Sequence, residues 1–391
     1  VSRIATSLPE PVKTWPKRLV PALLGSIAVS VCAALPIAAA AQTTPSGGRT
    51  CALDRSTGST IDTSPVVSDG YGVVYNAATA RIAYNQPDVL RFYRVMTMFA
   101  NGMDARALDA GSLQIPRKHQ GTPEWLPSGR WLIFTAQKRA WSGRTLFGIP
   151  DYEALPGYGR HDDLWIATAD GRDARQLTND PDTRDQGVLI PVVSGDGRRV
   201  AWSSRLPGGT YELRVADLVL LPVPHLERVR IYRPGGAAYY ETGAFTSDGT
   251  GLTYTSDQDT HSFWHSQIYV LDLATGTGKR LTTGNDYDEH PVIVPTQSGD
   301  WIVYMSSRGV ERRPGHLLLG TDWWAMRLDG TGTKRVTTMN SNAPNNSENT
   351  GAMQVAGRVS TGPTSDILFG GVQNSLVKQT GSTKRIRLVC R

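Results

Sequence analysis

The chain is 391 residues long, carries a net charge of +6, and contains 40 glycines and 24 prolines with 39% hydrophobic residues. That balance suits a turn-rich β architecture with enough apolar residues for a core. The charge is too weak and too dispersed to act as an electrostatic footprint for nucleic acid, which is not expected as a partner.

Residues 1–41 hold Arg3, Lys13, Lys17 and Arg18, followed by a largely apolar run from Leu19 to Ala41 that closes on four alanines before Gln42. A basic start, an apolar stretch and a small-residue cleavage site predict a secretory signal peptide. Val31 before Cys32 is too large for a lipoprotein site. No second membrane segment follows residue 41 and no linker interrupts the rest, so residues 42–391 are expected to form one domain in the periplasm or outside the cell.

From there the chain repeats itself. A glycine in a polar turn is followed five residues later by an aromatic that ends an apolar burst, at Gly70/Tyr75, Gly129/Phe134, Gly197/Trp202, Gly249/Tyr254 and Gly299/Tyr304. Repetition at about 50 to 70 residues marks a radial or solenoid architecture. Each period continues into an alternating strand and a glycine turn, as in "LWIATADGRDARQLT" (164–178), "IYVLDLATGTGKRLT" (268–282) and "WWAMRLDGTGTKRVT" (323–337). Asp-Gly and Thr-Gly between alternating runs signal hairpins, so one period is a four-stranded antiparallel meander, A to D. The string Gly276-Thr277-Gly278-Lys279-Arg280 is one of these turns, since it recurs at Gly330–Lys334 and lacks the first glycine of a phosphate loop.

A meander of this size cannot bury both faces alone, so copies must pack around an axis as a β-propeller. A degenerate sixth copy, residues 351–371 with 385–390, brings the count to six blades. Its missing D strand is expected from "TCALDR" (50–55), pairing with 385–390 to close the ring and remove exposed edges. That pairing sets Cys51 beside Cys390, and in an oxidising compartment the two are expected to form a disulfide. Chain-entropy models give such a long loop roughly 4 to 5 kcal/mol of stabilisation.

The segments "WLPSGRWLIFTAQ" and "LWIATADGRDARQLT" resemble the propeller repeats of the TolB family, also called PD40 or WD40-like repeats. The resemblance covers about residues 60–390 and implies an exported six-bladed, all-β propeller. Only about 20 residues separate the cleavage site from the first blade, whereas TolB has an α/β domain there. The Gly-x-Ser-x-Gly elbow of peptidases with similar blades is absent.

Loops D-to-A and B-to-C open on one face of such a disc. His119 and His290 precede A strands, His161, His261, His265 and His316 lie in B-to-C stretches, and His225 alone falls in a C-to-D region. The same mouth collects Gln120, Gln186, Asp286, Asp288 and the carboxylates Glu241, Glu289 and Glu348. Aromatic residues join them: Trp141, Tyr152, Tyr158, Phe263 and Trp264 in B-to-C loops, and Tyr239, Tyr240 and Tyr287 before A strands. Long loops on one face of a rigid ring are where binding and catalysis concentrate.

His119, Gln120, Gln186, Glu241, Glu289, His290 and Glu348 are therefore the candidate ligand-binding residues. His261, His265, His290 and His316, with the carboxylates Glu241 and Glu289, are candidate ligands for a divalent metal, the one cofactor considered. Solvated loop histidines, a metal centre and metal-free acid/base chemistry all remain open on the residues alone, as do calcium or plain solvation for the acid-rich "NDYDEHP" (285–291). Two functions follow. One is a monomeric propeller that binds a protein or peptide at its mouth. The other is a carbohydrate-active enzyme, a polysaccharide lyase or hydrolase acting on an oligosaccharide, because oligogalacturonate lyases resemble this architecture and use a histidine-rich metal site. No catalytic residue is assigned, so whether the chain is an enzyme stays open.

Overall fold

The computed structural model describes residues 49–141, 152–181, 186–310, 320–340, 355–373 and 381–390; the expected signal at 1–41 lies outside them. Short β-strands rich in branched and aromatic residues follow one another in chain order. β1 (Arg49–Thr50) and β2 (Gly58–Ile61) come first. Blade one is β3 (Tyr71–Asn76), β4 (Arg81–Pro87), β5 (Tyr93–Phe99) and β6 (Arg106–Ala107). Blade two is β7 (Gln120–Trp125), β8 (Trp131–Gln137), β9 (Asp162–Thr168) and β10 (Ala174–Gln176). Blade three is β11 (Gly187–Val193), β12 (Arg199–Arg205), β13 (Tyr211–Val219) and β14 (His225–Tyr232). Blade four is β15 (Tyr240–Phe245), β16 (Gly251–Ser256), β17 (Gln267–Asp272) and β18 (Gly278–Arg280). Blade five is β19 (Asp288–Thr296), β20 (Gly299–Ser306), β21 (Asp322–Arg327) and β22 (Lys334–Arg335), and blade six is β23 (Val355–Thr361), β24 (Ile367–Gln373) and β25 (Gly381–Cys390) with the two first strands.

Five sheets are four-stranded antiparallel meanders and the sixth is an antiparallel sheet of five strands completed by β1 and β2, so the fold is an all-β six-bladed propeller. Its core is divided among the joints between blades. Phe134 of blade two packs with Val74, Ala83 and Val95 of blade one. Trp202 packs with Leu164 and Ile166 of blade two, Tyr254 with Leu213 of blade three, and Tyr304 with Ile268 of blade four. Blades five and six share Trp323, Val359 and Ile386, while Phe369 meets Ile82 and Tyr84 of blade one. Six joints between six blades close the ring. Among the described residues no helix is long and apolar enough to cross a membrane.

The repeated glycine has a local cause. Ser194 Oγ donates to Asp196, whose carboxylate accepts Arg198 N–H, and Gly197 then takes a φ of 72° to bring the chain back. Thr246, Asp248 and Gly249 repeat the turn, with a φ of 69° at the glycine. A left-handed φ costs glycine little and other residues more.

Blade one departs from this scheme. Tyr75 lies on the innermost strand β3, not on a B strand, and the blade's B-strand aromatic is Tyr84. The turn between them is built by Asn76, whose side chain accepts Thr79 N–H, and by Ala80 with a φ of 50°, so no glycine marks it. The spacing of Gly70 and Tyr75 is coincidental. Blade six departs as well: its register places Gly371 opposite the bulge, where blades one, two, three and five hold an aromatic, and Phe369 lies two residues earlier.

Ring closure by both termini is present, with a different register from the expected one. β2 pairs Gly58–Ile61 with Val389–Ile386, and β1 adds Arg49 against Cys390 and Thr50 against Val389. Residues Leu53–Arg55, expected to be strand, form a 3-10 turn that tucks Leu53 into the joint with blade five. Burying Leu53 wins over extending the ladder. Cys51 and Cys390 are bridged, with Cα atoms 5.8 Å apart.

Candidate functional site

Each innermost strand carries a bulge near its start, between Tyr71 and Val74, Gly121 and Glu124, Leu189 and Val192, Thr242 and Phe245, Glu289 and Val292, and Ala356 and Val359. A bulge bends its strand and re-aims a side chain, here beside the axis. In blade five the first bulged residue is His290, held at a φ of 56°. A strand would send Glu289 and His290 to opposite faces; the left-handed residue lets both turn to one place.

Glu241 and Glu289 occupy the same position in adjacent blades. Glu241 pairs with Thr255, the residue after Tyr254, and Glu289 with Met305, the residue after Tyr304. Both are buried. Blades four and five meet tightly here, since a Cβ on Gly243 would fall 2.5 Å from the Pro291 carbonyl oxygen. That approach brings His290 Nε2 to 3.2 Å from Glu241 Oε1 and 3.8 Å from Glu289 Oε2. Among the described residues, these three form the one His/Cys/Asp/Glu group whose ligand atoms all lie within 4.8 Å of one another.

The electrostatics follow from burial. Loss of water lifts Glu241 to about 7; His290 opposes the rise, Glu289 adds to it, and the Tyr239 hydroxyl, donating to Glu241, opposes it. Tyr287 faces Glu289. Both phenols are pushed well above their usual value by burial and by the carboxylates they face. The trio can hold a cation, or keep one proton between acid and imidazole.

Around it stands a chain of rings. Tyr211 and Tyr239 meet edge-on at 5.1 Å, Tyr239 and Phe263 at 5.2 Å, and Phe263 packs on Tyr287 at 5.4 Å. Trp264 leans on Phe263 and Tyr287 and stays 38% exposed. The B-to-C segment of blade two approaches from another side. Pro156 lies against Gly121 so closely that a Cβ there would be 2.3 Å from it.

Arg358 crosses the axis from blade six. Its guanidinium is 3.4 Å from Glu124 of blade two and donates to the Gly243 carbonyl of blade four at 3.2 Å. Burial raises Glu124, and Arg358 counters that rise. The sequence reading missed both residues. Neither carries a local signature, since β7 mixes polar and apolar residues and β23 belongs to the degenerate repeat.

The other candidates are dispersed. His119 is buried against Phe92 and its Nδ1 accepts Tyr93 N–H, which gives it a packing role between blades one and two. Gln120 is buried, with its Oε1 accepting Val95 N–H and its Nε2 donating to the Pro116 carbonyl. Gln186 accepts His161 N–H through its backbone, and His161 stacks on Trp141 at 3.5 Å. His261 and His265 lie in the B-to-C segment of blade four and belong to no metal-binding group among the described residues, so the histidine-rich set is not assembled from them. Glu348 and His316 lie outside the described residues. His225 begins the outer strand of blade three and contacts Glu227 at 3.0 Å.

No protein-family model and no curated protein matches the sequence. Solved structures do resemble it. A protein of Agrobacterium tumefaciens described as TolB is 19% identical over 69% of this chain and 74% of its own, with a TM-score of 0.41. TolB from Acinetobacter baumannii is 15% identical over 83% of this chain and 65% of its own, with a TM-score of 0.44. Prolyl endopeptidases are also similar, at 14% identity over 82% of this chain, 47% of theirs and a TM-score of 0.46.

Proposed function

We propose that this chain is an exported propeller that binds a protein or peptide ligand at the mouth shared by its D-to-A and B-to-C loops. The observation that carries the reading is the arrangement of Trp264, exposed on a shelf of Phe263, Tyr239 and Tyr287 above the Glu241, Glu289 and His290 cluster. Rigid aromatic anchors beside fixed polar groups are the composition of binding hot spots. Export is supported by the bridge between Cys51 and Cys390, which persists in oxidising compartments, and by the apolar run ending at Ala41.

Photo-crosslinking in the producing cell tests this reading. A photoreactive residue at Trp264 or Tyr158 should trap a discrete protein partner, whereas one at Thr275 or Thr331, in the C-to-D turns, should trap none. Equal labelling from both faces, or no adduct from the mouth, overturns it.

A further inference from the structure

We infer that Glu241, Glu289 and His290 form a binding site for one divalent transition-metal ion, of the zinc class, at the joint of blades four and five. The inference is independent of whether the mouth binds a protein.

Geometry comes first. Four ligands at zinc distances of about 2.0 to 2.2 Å from a metal stand about 3.3 to 3.6 Å from one another, the edge of a tetrahedron. His290 Nε2 stands 3.2 Å from Glu241 Oε1 and 3.8 Å from Glu289 Oε2, close to that edge. Ordinary side-chain rotation covers the remainder.

The second observation is an unmet acceptor. Glu241 is 2% exposed, and its Oε1, which faces His290, has no hydrogen-bond partner among the described residues. Its other oxygen accepts from the Tyr239 hydroxyl. A phenol that holds the far oxygen of a carboxylate while the near oxygen meets an imidazole is the kind of outer partner a metal site uses to orient its ligands. His290 Nε2 faces the buried Glu241 Oε1 at 3.2 Å without making a hydrogen bond to it, and a cation between the two would satisfy both.

The donor set decides the class. One imidazole and two carboxylates suit zinc, iron or manganese, while calcium asks for six to eight oxygens and the site supplies at most four. With three protein ligands, a fourth position stays open for water or a ligand group, as in zinc sites that act on substrates.

The test is calorimetric titration of tag-free, chelator-stripped protein with zinc, manganese and calcium chlorides. One equivalent of zinc should bind, more tightly than manganese and far more tightly than calcium. His290→Ala should weaken zinc at least about 100-fold and Tyr239→Phe by about 10- to 100-fold, while His261→Ala and His265→Ala leave it unchanged. The metal-free melting temperature of each variant confirms that it is folded, and Glu241→Gln is a second route should His290→Ala fail that check. No saturable zinc binding, calcium preferred to zinc, or full affinity in folded His290→Ala or Glu241→Gln overturns the inference.

Discussion

At the scale of single residues, the axis is held by one charge. Arg358 is the cation that Glu124 meets there, and it also ties the Gly243 carbonyl, so blades six, two and four share one guanidinium. Both side chains are partly buried, so removing one leaves the other charge poorly compensated at a cost below the about 3 to 5 kcal/mol of a fully buried pair, while replacing both by neutral groups of similar size costs less still. Arg358→Met should therefore destabilise the protein measurably in urea, and Arg358→Met with Glu124→Gln should recover most of the loss. If the double variant is as unstable as the single one, the Gly243 contact rather than the pair carries the effect. None of this was visible in the sequence, because a lone arginine in a degenerate repeat has no local signature. The Glu241, Glu289 and His290 trio was legible as three polar residues at the starts of two A strands; that they touch depends on the bulge at His290 and on the tight joint at Gly243, neither of which has a sequence signature.

At the scale of elements, the B strands explain both where the repeat was readable and where it misled. Phe134 and Trp202 are buried within their interblade cores, so Phe134→Ala and Trp202→Ala should each cost about 3 to 5 kcal/mol in chemical denaturation. Tyr75, on β3 and only half-buried, meets Phe369 edge-on at 6.0 Å and should cost clearly less when truncated. Equal losses at all three positions would contradict this division. Glycine and aromatic spacing found blades two to five because the turn before each of their B strands holds a left-handed residue, and glycine adopts that conformation most cheaply. In blade one Ala80 adopts it instead, so the spacing locked onto the wrong strand. The closing strand was misplaced for a similar reason: "TCALDR" has strand-like composition, but Leu53 gains more by burial than by pairing.

At the scale of the molecule, two features set stability. The bridge between Cys51 and Cys390 spans 339 positions, and Cys51→Ser should lower unfolding free energy by about 2 to 5 kcal/mol while leaving the blades intact by circular dichroism. The second feature is the opposite behaviour of buried and turn carboxyls. Burial raises Glu124, Asp163 and Asp257, and lifts Asp288 to about 6. A carboxyl raised above its unfolded value of about 4 binds its proton more tightly in the folded state. The stability it contributes is complete below pH about 4 and is lost as pH climbs through the folded value. Asp170, Asp196 and Asp248 run the other way: hydroxyl and backbone N–H donors in the turns hold them below the ordinary range, so their contribution is present above pH about 4 and lost below it. These turn groups are largely exposed and solvent weakens their effect. Chelator-treated protein should therefore melt highest at about pH 4 to 5 and at progressively lower temperature as pH rises through about 6. Asp288→Asn, which removes the carboxyl that burial lifts to about 6 and keeps its volume, should flatten that decline. A melting temperature that rises steadily from acid to neutral pH would mean that the buried carboxyls are paired in solution and that burial is not what governs them.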